Sequence, residues 1–449
     1  MPAHGRGEAL PMDLKTILRK SPGLWDLPEL PDIGSPLESF GALEKSQRIS
    51  ADLFGAEKAW YGVNGATGLL QAALFAMLKP GEAVLMPRNV HKSLINACLL
   101  GDFIPVLFDL PFMVDRGHFS PPDQSWLKTV LLEINSKNIR ISAAVLVNPT
   151  YHGYSIDLTA LINILHDYGL PVLIDEAHGA HFSICDSNGL PKSALASGAD
   201  LVVNSLHKSS VGLCQTAVLW SQGKRVDHIS IKRAIECVQT SSPSSLLLAS
   251  CEIALREWKS PLLIKRIKLR IKEARDLAIQ LREIGLPFLI NQDPLRLILH
   301  TASIGISGIE ADNWFISRGL IAELPEPGCL TFCLGFSSHK GLQRTFRRLW
   351  RKLESEFPGS RCFKPFTPPP LPLISLPFMN SSLAWRSHST EVLLEESVGR
   401  VSAEMICPYP PGIPLLIPGE IFNQSRVNWL VEQRHFCPEQ IPAKVRIVN

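Results

Sequence analysis

Lys208 follows an apolar run, in Ser205-Leu206-His207-Lys208-Ser209-Ser210, with a histidine beside it and hydroxyls around it. A lysine partly desolvated near another cationic group gives up its proton more easily and becomes a nucleophile toward an aldehyde. Asp175 ends a second apolar run, in Ile174-Asp175-Glu176-Ala177-His178-Gly179-Ala180-His181. A carboxylate at the end of a buried strand needs a partner, and a protonated pyridine nitrogen is one. Ala177 is small enough to leave room for a flat ring. A third cluster is Val63-Asn64-Gly65-Ala66-Thr67-Gly68, between a strand and a helix. Its glycines let backbone approach a ligand, and the helix N-terminus offers free N–H groups to a phosphate. Thr67 and Ser205 add hydroxyls. His91, in Asn89-Val90-His91-Lys92, could stack on a flat ring.

A phosphate cradle, a strand-end carboxylate and a strand-end lysine are the parts pyridoxal phosphate (PLP) needs. That cofactor brings a phosphate, a pyridine nitrogen and an aldehyde, and the chain has one partner for each. The reading is a Schiff base on Lys208. Each motif alone also fits a structural role: a plain turn, a satisfied core polar group, a surface lysine. Asp175, His178 and His181 could instead ligate a metal, but their spacing is not that of HExxH, and no metal is expected.

The elements that must position these residues alternate along the chain. ALEKSQRISADLFGA has helical spacing and stops at Gly55, KAWYG reads as a strand, and LLQAALFAMLK as a helix stopped by Pro80-Gly81. EAVLMP, ISAAVLVNP, PVLIDEA, ADLVVNSLH and CQTAVLW read as strands, with HKSLINACLLG and DLTALINILHDYG as helices between them. Continuous apolar strands separated by amphipathic helices predict an α/β doubly wound domain, its mostly parallel sheet covered on both faces. In such a sheet, ligands bind outside the carboxyl ends of the strands, where Asp175 and Lys208 stand.

Five segments are expected: a Pro- and Gly-rich arm over 1–40, not part of a core; a large domain over 41–260; a smaller α/β unit over 261–356; a Pro-rich connection over 357–378; and a C-terminal region over 379–449. STEVLLEESVGRVSAEMI in that last region reads as a helix. The basic run Lys265, Arg266, Lys268, Arg270, Lys272 and Arg275 reads as the solvated face of a long helix.

A net charge of +3 over 449 residues calls for neither a nucleic-acid nor an acidic-membrane partner. The 10 cysteines include no CxxC pair, which argues against a zinc ribbon and for a reducing, cytoplasmic compartment. The opening MPAHGRGEALPMDL lacks the apolar core of a signal peptide, and no apolar run approaches the ~18 residues that span a bilayer.

The order of these motifs resembles the fold-type-I PLP enzymes, and within them the Orn/Lys/Arg decarboxylase family. PAHGRG, the stretch DLPELPDIGSPLESFGALEKSQRISADLFGAEKAWYGVNG, DEAHGAHF, NSLHKS and QTSSPSSLLLAS carry the resemblance, with the tail VGRVSAEMICPYPPGIPLLIPGE its most specific part. The resemblance implies that Lys208 carries the cofactor and Asp175 pairs with its ring nitrogen. Ala177 and His91 would lie on the two ring faces, with His178 nearby. Ala66, Thr67, Gly68, Ser205 and His207 would hold the phosphate, and Thr240 and Ser241 would reach it across a homodimer interface. The implied reaction is decarboxylation of arginine, lysine or ornithine, with the proton returned by Lys208 or His207. Glu420 is the candidate for binding the substrate's positive tail, its alternative being a structural bond in the Pro-Gly loop. The chain departs from the family in its tighter phosphate loop, NGATG, and in lacking the lysine of the PGHK form. It has no room for the N-terminal wing of the large acid-induced members, so their decameric assembly is not implied. Aminotransfer on the same scaffold, with Arg296 or Arg318 clamping an α-carboxylate, and a non-catalytic relative are the alternatives.

Overall fold

The computed structural model describes residues 3–28, 30–184, 189–337, 340–357, 365–408, 413–436 and 441–449. The first strands are β1 (Lys58–Gly62), β2 (Ala83–Pro87) and β3 (Ile104–Phe108), then the short hairpin β4 (Phe112–Met113) and β5 (His118–Phe119). β6 (Ala143–Val147), β7 (Val172–Asp175), β8 (Leu201–Ser205) and β9 (Ala217–Ser221) follow. Beyond the long helix Pro261–Glu283 come β10 (Phe288–Leu289), β11 (Arg296–Leu299), β12 (Leu324–Pro325) and β13 (Leu330–Cys333). The last strands are β14 (Ile374–Ser375), β15 (Ser389–Leu393) and β16 (Lys444–Val448).

Eight strands form one mixed sheet in the order β1-β9-β8-β7-β6-β2-β3-β14. Its five central strands, β8 to β3, run parallel. Their apolar runs are continuous because helices cover both faces. Leu85 faces a core shared with Val106, Leu161 and Leu165, while its neighbours Val84 and Met86 face a second core with Leu69, Leu70 and Leu94. The helix Gly41–Phe54 ends where Gly55 turns left-handed (φ 76°), and Asp157 caps the helix Leu158–Asp167 by accepting from Thr159 N at 2.9 Å.

The smaller unit is a four-stranded antiparallel sheet, β10-β11-β13-β12. The helices Pro261–Glu283 and Leu342–Glu356 pack on it through Ile267, Ile271, Phe346 and Trp350. Of the basic run, Lys265, Lys268 and Lys272 lie on the exposed side of the first of these helices, whereas Arg266, Arg270 and Arg275 are half-buried.

Two expectations fail. The start of the chain is not merely an arm. Residues 12–18 form a helix whose Leu14 is fully buried against Ile253, and Ala3 bridges His207 O and Phe336 N by backbone bonds of 2.9 and 2.8 Å. STEVL is a strand rather than a helix, because it pairs with the last residues of the chain (Thr390 opposite Ile447, Val392 opposite Val445). A distant partner there overrides helical spacing. Within the Pro-rich connection, β14 adds an edge strand beside β3, and residues 358–364 lie outside the described set. The C-terminal region has its own core of Leu394, Ile406, Leu416, Phe422 and Val445. Tyr409 to Gly412 of the tail motif lie outside the described residues. Among the described residues, no helix is long and apolar enough to cross a membrane.

Candidate cofactor and active site

Asp175 is the last residue of β7, and Lys208 lies in the helical turn Leu206–Ser209 that follows β8. The two strands pair in parallel, with Asp175 opposite Val203, so both side chains emerge at the same sheet edge. They line a cavity of about 680 Å³. Glu176, one residue on, points the other way, as strand alternation requires. Its two oxygens accept from Ala194 N (2.7 Å) and Asn204 Nδ2 (3.0 Å), and burial pushes its carboxyl up to about 8. Only Asp175 of this acidic pair serves the cavity.

Lys208 Nζ lies 3.3 Å from His178 Nε2. Burial holds this lysine below its usual range; Arg296 adds to the effect and Asp175 opposes it. His178 is held well below the ordinary imidazole value, first by burial and then by the positive charges of Lys208 and Arg296. Arg296 Nη2 lies 3.2 Å from His178 Nδ1, and the Tyr151 ring is tilted against His178 at 4.5 Å. His207 lines the cavity too, but the histidine in contact with the amine is His178. The sequence drew attention to His207 as the proton partner because it is the neighbour in the chain; across the sheet edge, His178 is the neighbour in space.

The helix Gly65–Met77 opens onto the same cavity through Ala66 and Thr67, and its N-terminus lacks a side-chain cap from Asn64. Gly65 takes a φ of 69°, which favours glycine. Ser205 Oγ is buried without a hydrogen-bond partner. Uncapped N–H groups and an unspent hydroxyl facing one cavity are what a phosphate would occupy. His91 caps the helix Lys92–Gly101, its Nδ1 accepting from Ser93 N at 3.2 Å, and lines the cavity together with Ala177. An amine, a carboxylate, ring-sized space and a phosphate cradle on one cavity fit PLP.

Not every predicted residue arrives there. A Cβ on Gly68 would come within 2.5 Å of Gln239 Nε2, so its missing side chain makes room for Gln239. Thr240 and Ser241 are exposed and do not line the cavity. Glu420 is turned inward: Arg88 Nη2 meets its Oε1 at 2.6 Å and Arg426 Nη2 at 3.5 Å, with Glu420 only 3% exposed. Its carboxylate is committed to two arginines, the geometry of the structural alternative. Arg318 lies over the Trp314 ring and pairs with Glu356 on the surface. His181 pairs with Asp293 at 2.9 Å, which separates it from Asp175 and His178 as a ligand set.

The sequence model of the Orn/Lys/Arg decarboxylase major domain matches residues 25–284, and that of the family's C-terminal domain matches 376–440. The chain belongs to the Orn/Lys/Arg decarboxylase family. It is therefore a decarboxylase of the fold-type-I class. It is 27% identical to an arginine decarboxylase of Bacillus subtilis, over 96% of this chain and 89% of that protein. It is 30% identical to an uncharacterized protein of the same organism, YaaO, over 96% and 89%. Among solved structures, the lysine decarboxylase A of Pseudomonas aeruginosa superposes with a TM-score of 0.79 at 19% identity, covering 94% of this decarboxylase and 73% of that chain.

Proposed function

We propose that this decarboxylase carries PLP on Lys208 and removes the α-carboxylate of a basic amino acid, arginine first, releasing CO2 and the corresponding amine. The observation that carries the reading is the convergence of Lys208, Asp175 and the open end of the helix Gly65–Met77 on one cavity. The cofactor, when bound, supplies an electron sink for the bond that breaks. Asp175 would hold a proton at the ring nitrogen, which would keep that sink strong. His91 and Ala177 would confine the ring, and Ala66, Thr67 and Ser205 would hold the phosphate. Lys208 Nζ would hold the cofactor's aldehyde carbon, and His178 Nε2, 3.3 Å away, is the group positioned to pass a proton to or from that nitrogen.

Arginine is named first because the curated relative reported above acts on arginine by its name. The proposal makes the protein a cytoplasmic homodimer. Support comes from apolar side chains left exposed on the arm, Leu24 at 67% and Phe40 at 55%, and from Thr240 and Ser241 standing outside their own cavity. The described cysteines are free thiols, as is usual in a reducing compartment. The test is to supply arginine, lysine and ornithine separately with PLP and measure CO2 and amine. Product from arginine supports the reading. Exchange of the amine with an oxo-acid and no CO2 would overturn it in favour of aminotransfer.

A further inference from the structure

Three side chains from separate parts of the chain meet at one point, and one of them, His152, also stands on the wall of the Lys208 cavity. His118 is on β5, His152 is in the loop after β6, and Glu326 follows β12 in the smaller unit. Their donor atoms all lie within 4.8 Å of one another, and the residues are 0%, 5% and 0% exposed. We propose that His118, His152 and Glu326 bind a divalent transition-metal ion, of the zinc type, that clips the smaller unit onto the large domain beside the cavity.

His152 Nε2 lies 2.6 Å from Glu326 Oε2, and His118 Nδ1 lies 3.6 Å from the same oxygen. Glu326 Oε1 and His118 Nδ1 are buried without hydrogen-bond partners. Among the described residues, no lysine or arginine pairs with Glu326. A fully buried carboxylate with one idle oxygen and no fixed cation is costly. A metal ion supplies the missing positive charge and occupies the idle atoms together.

Ligand atoms on a tetrahedral zinc ion with bonds of about 2.0–2.2 Å stand roughly 3.3 Å apart. The observed 2.6 and 3.6 Å separations bracket that value. Two imidazoles and a carboxylate suit zinc, leaving a fourth position for water. The outer ring nitrogen of His118 is supported in turn: Nε2 lies 3.3 Å from Tyr154 OH, which accepts from Arg116 Nη1 at 3.2 Å. Such support for a ligating histidine fixes which nitrogen faces the ion. No motif announces the set, because its members come from a hairpin, a loop and a different sheet.

The experiment uses the PLP-loaded enzyme. Metal content is measured as purified, after chelator treatment, and after dialysis against Zn2+ or Co2+, alongside Glu326→Gln and His118→Asn. The expected result is one equivalent of metal per chain in the wild type, visible bands of tetrahedral Co2+ after exchange, and loss of both in each variant. The wild type should melt at lower temperature after chelation and recover with Zn2+, because an ion that binds only the folded state stabilises it by mass action. Persistence of the cofactor's own absorbance in the variants separates this site from the one at Lys208. If the wild type takes up no Zn2+ or Co2+, and its melting is indifferent to chelator, the proposal is wrong whether or not the variants fold. Metal retained undiminished by a folded Glu326→Gln also overturns it.

Discussion

Arg296 Nη2 stands 3.2 Å from His178 Nδ1, and this contact favours one tautomer of His178. A guanidinium only donates, so Nδ1 accepts and the neutral ring is protonated at Nε2. That N–H faces Lys208 Nζ at 3.3 Å, where a neutral amine accepts it. Both the geometry and the depressed lysine favour an unprotonated nucleophile.

Removing the positive charge of Arg296 should therefore raise the pH needed for cofactor capture. Arg296 lowers the affinity of Lys208 for protons, so its loss returns the lysine toward the ordinary range. In Arg296→Gln, the rate at which apoenzyme takes up PLP, followed by absorbance, should rise with pH at a more alkaline midpoint than in the wild type. Arg296→Lys should retain more of the wild-type profile. An unshifted midpoint in Arg296→Gln speaks against this coupling of Arg296 to Lys208.

Lys208→Ala should abolish both the visible absorbance of bound cofactor and turnover. Asp175→Asn should keep the absorbance while lowering kcat by on the order of 10²-fold or more, the usual scale for losing one charged stabiliser of a transition state. Steady-state kinetics and spectra on the same preparations separate the two roles.

Glu420→Gln should behave as a folding defect. Breaking a buried ion pair from one side costs about 3–5 kcal/mol, because Arg88 is left buried and uncompensated. Denaturant unfolding should show that loss, with KM for the basic amino acid unchanged in whatever enzyme folds. A raised KM with intact stability would restore Glu420 to the substrate.

Leu14→Ala tests the start of the chain as part of the core. A fully buried leucine replaced by alanine costs about 2–5 kcal/mol, whereas an arm resting on a surface would lose little. Thermal or denaturant unfolding at fixed protein concentration reads the difference.

Residue types and strand periodicity were enough to name Lys208, Asp175, His91 and the NGATG turn, because each belongs to a local pattern: an apolar run with a polar end, or a glycine-bearing turn before a helix. The parallel sheet was legible for the same reason, since strands buried on both faces must be continuously apolar. The tertiary structure alone decided the contacts between patterns. It set His178 rather than His207 against the amine, placed Arg296 against that histidine, and buried Glu420 between Arg88 and Arg426. It also made a strand of STEVL by pairing it with the last residues of the chain. Sequence specifies what each segment buries and exposes; which distant side chain meets a given atom depends on how the sheet edges and the two units come together, and that information is spread over the whole chain.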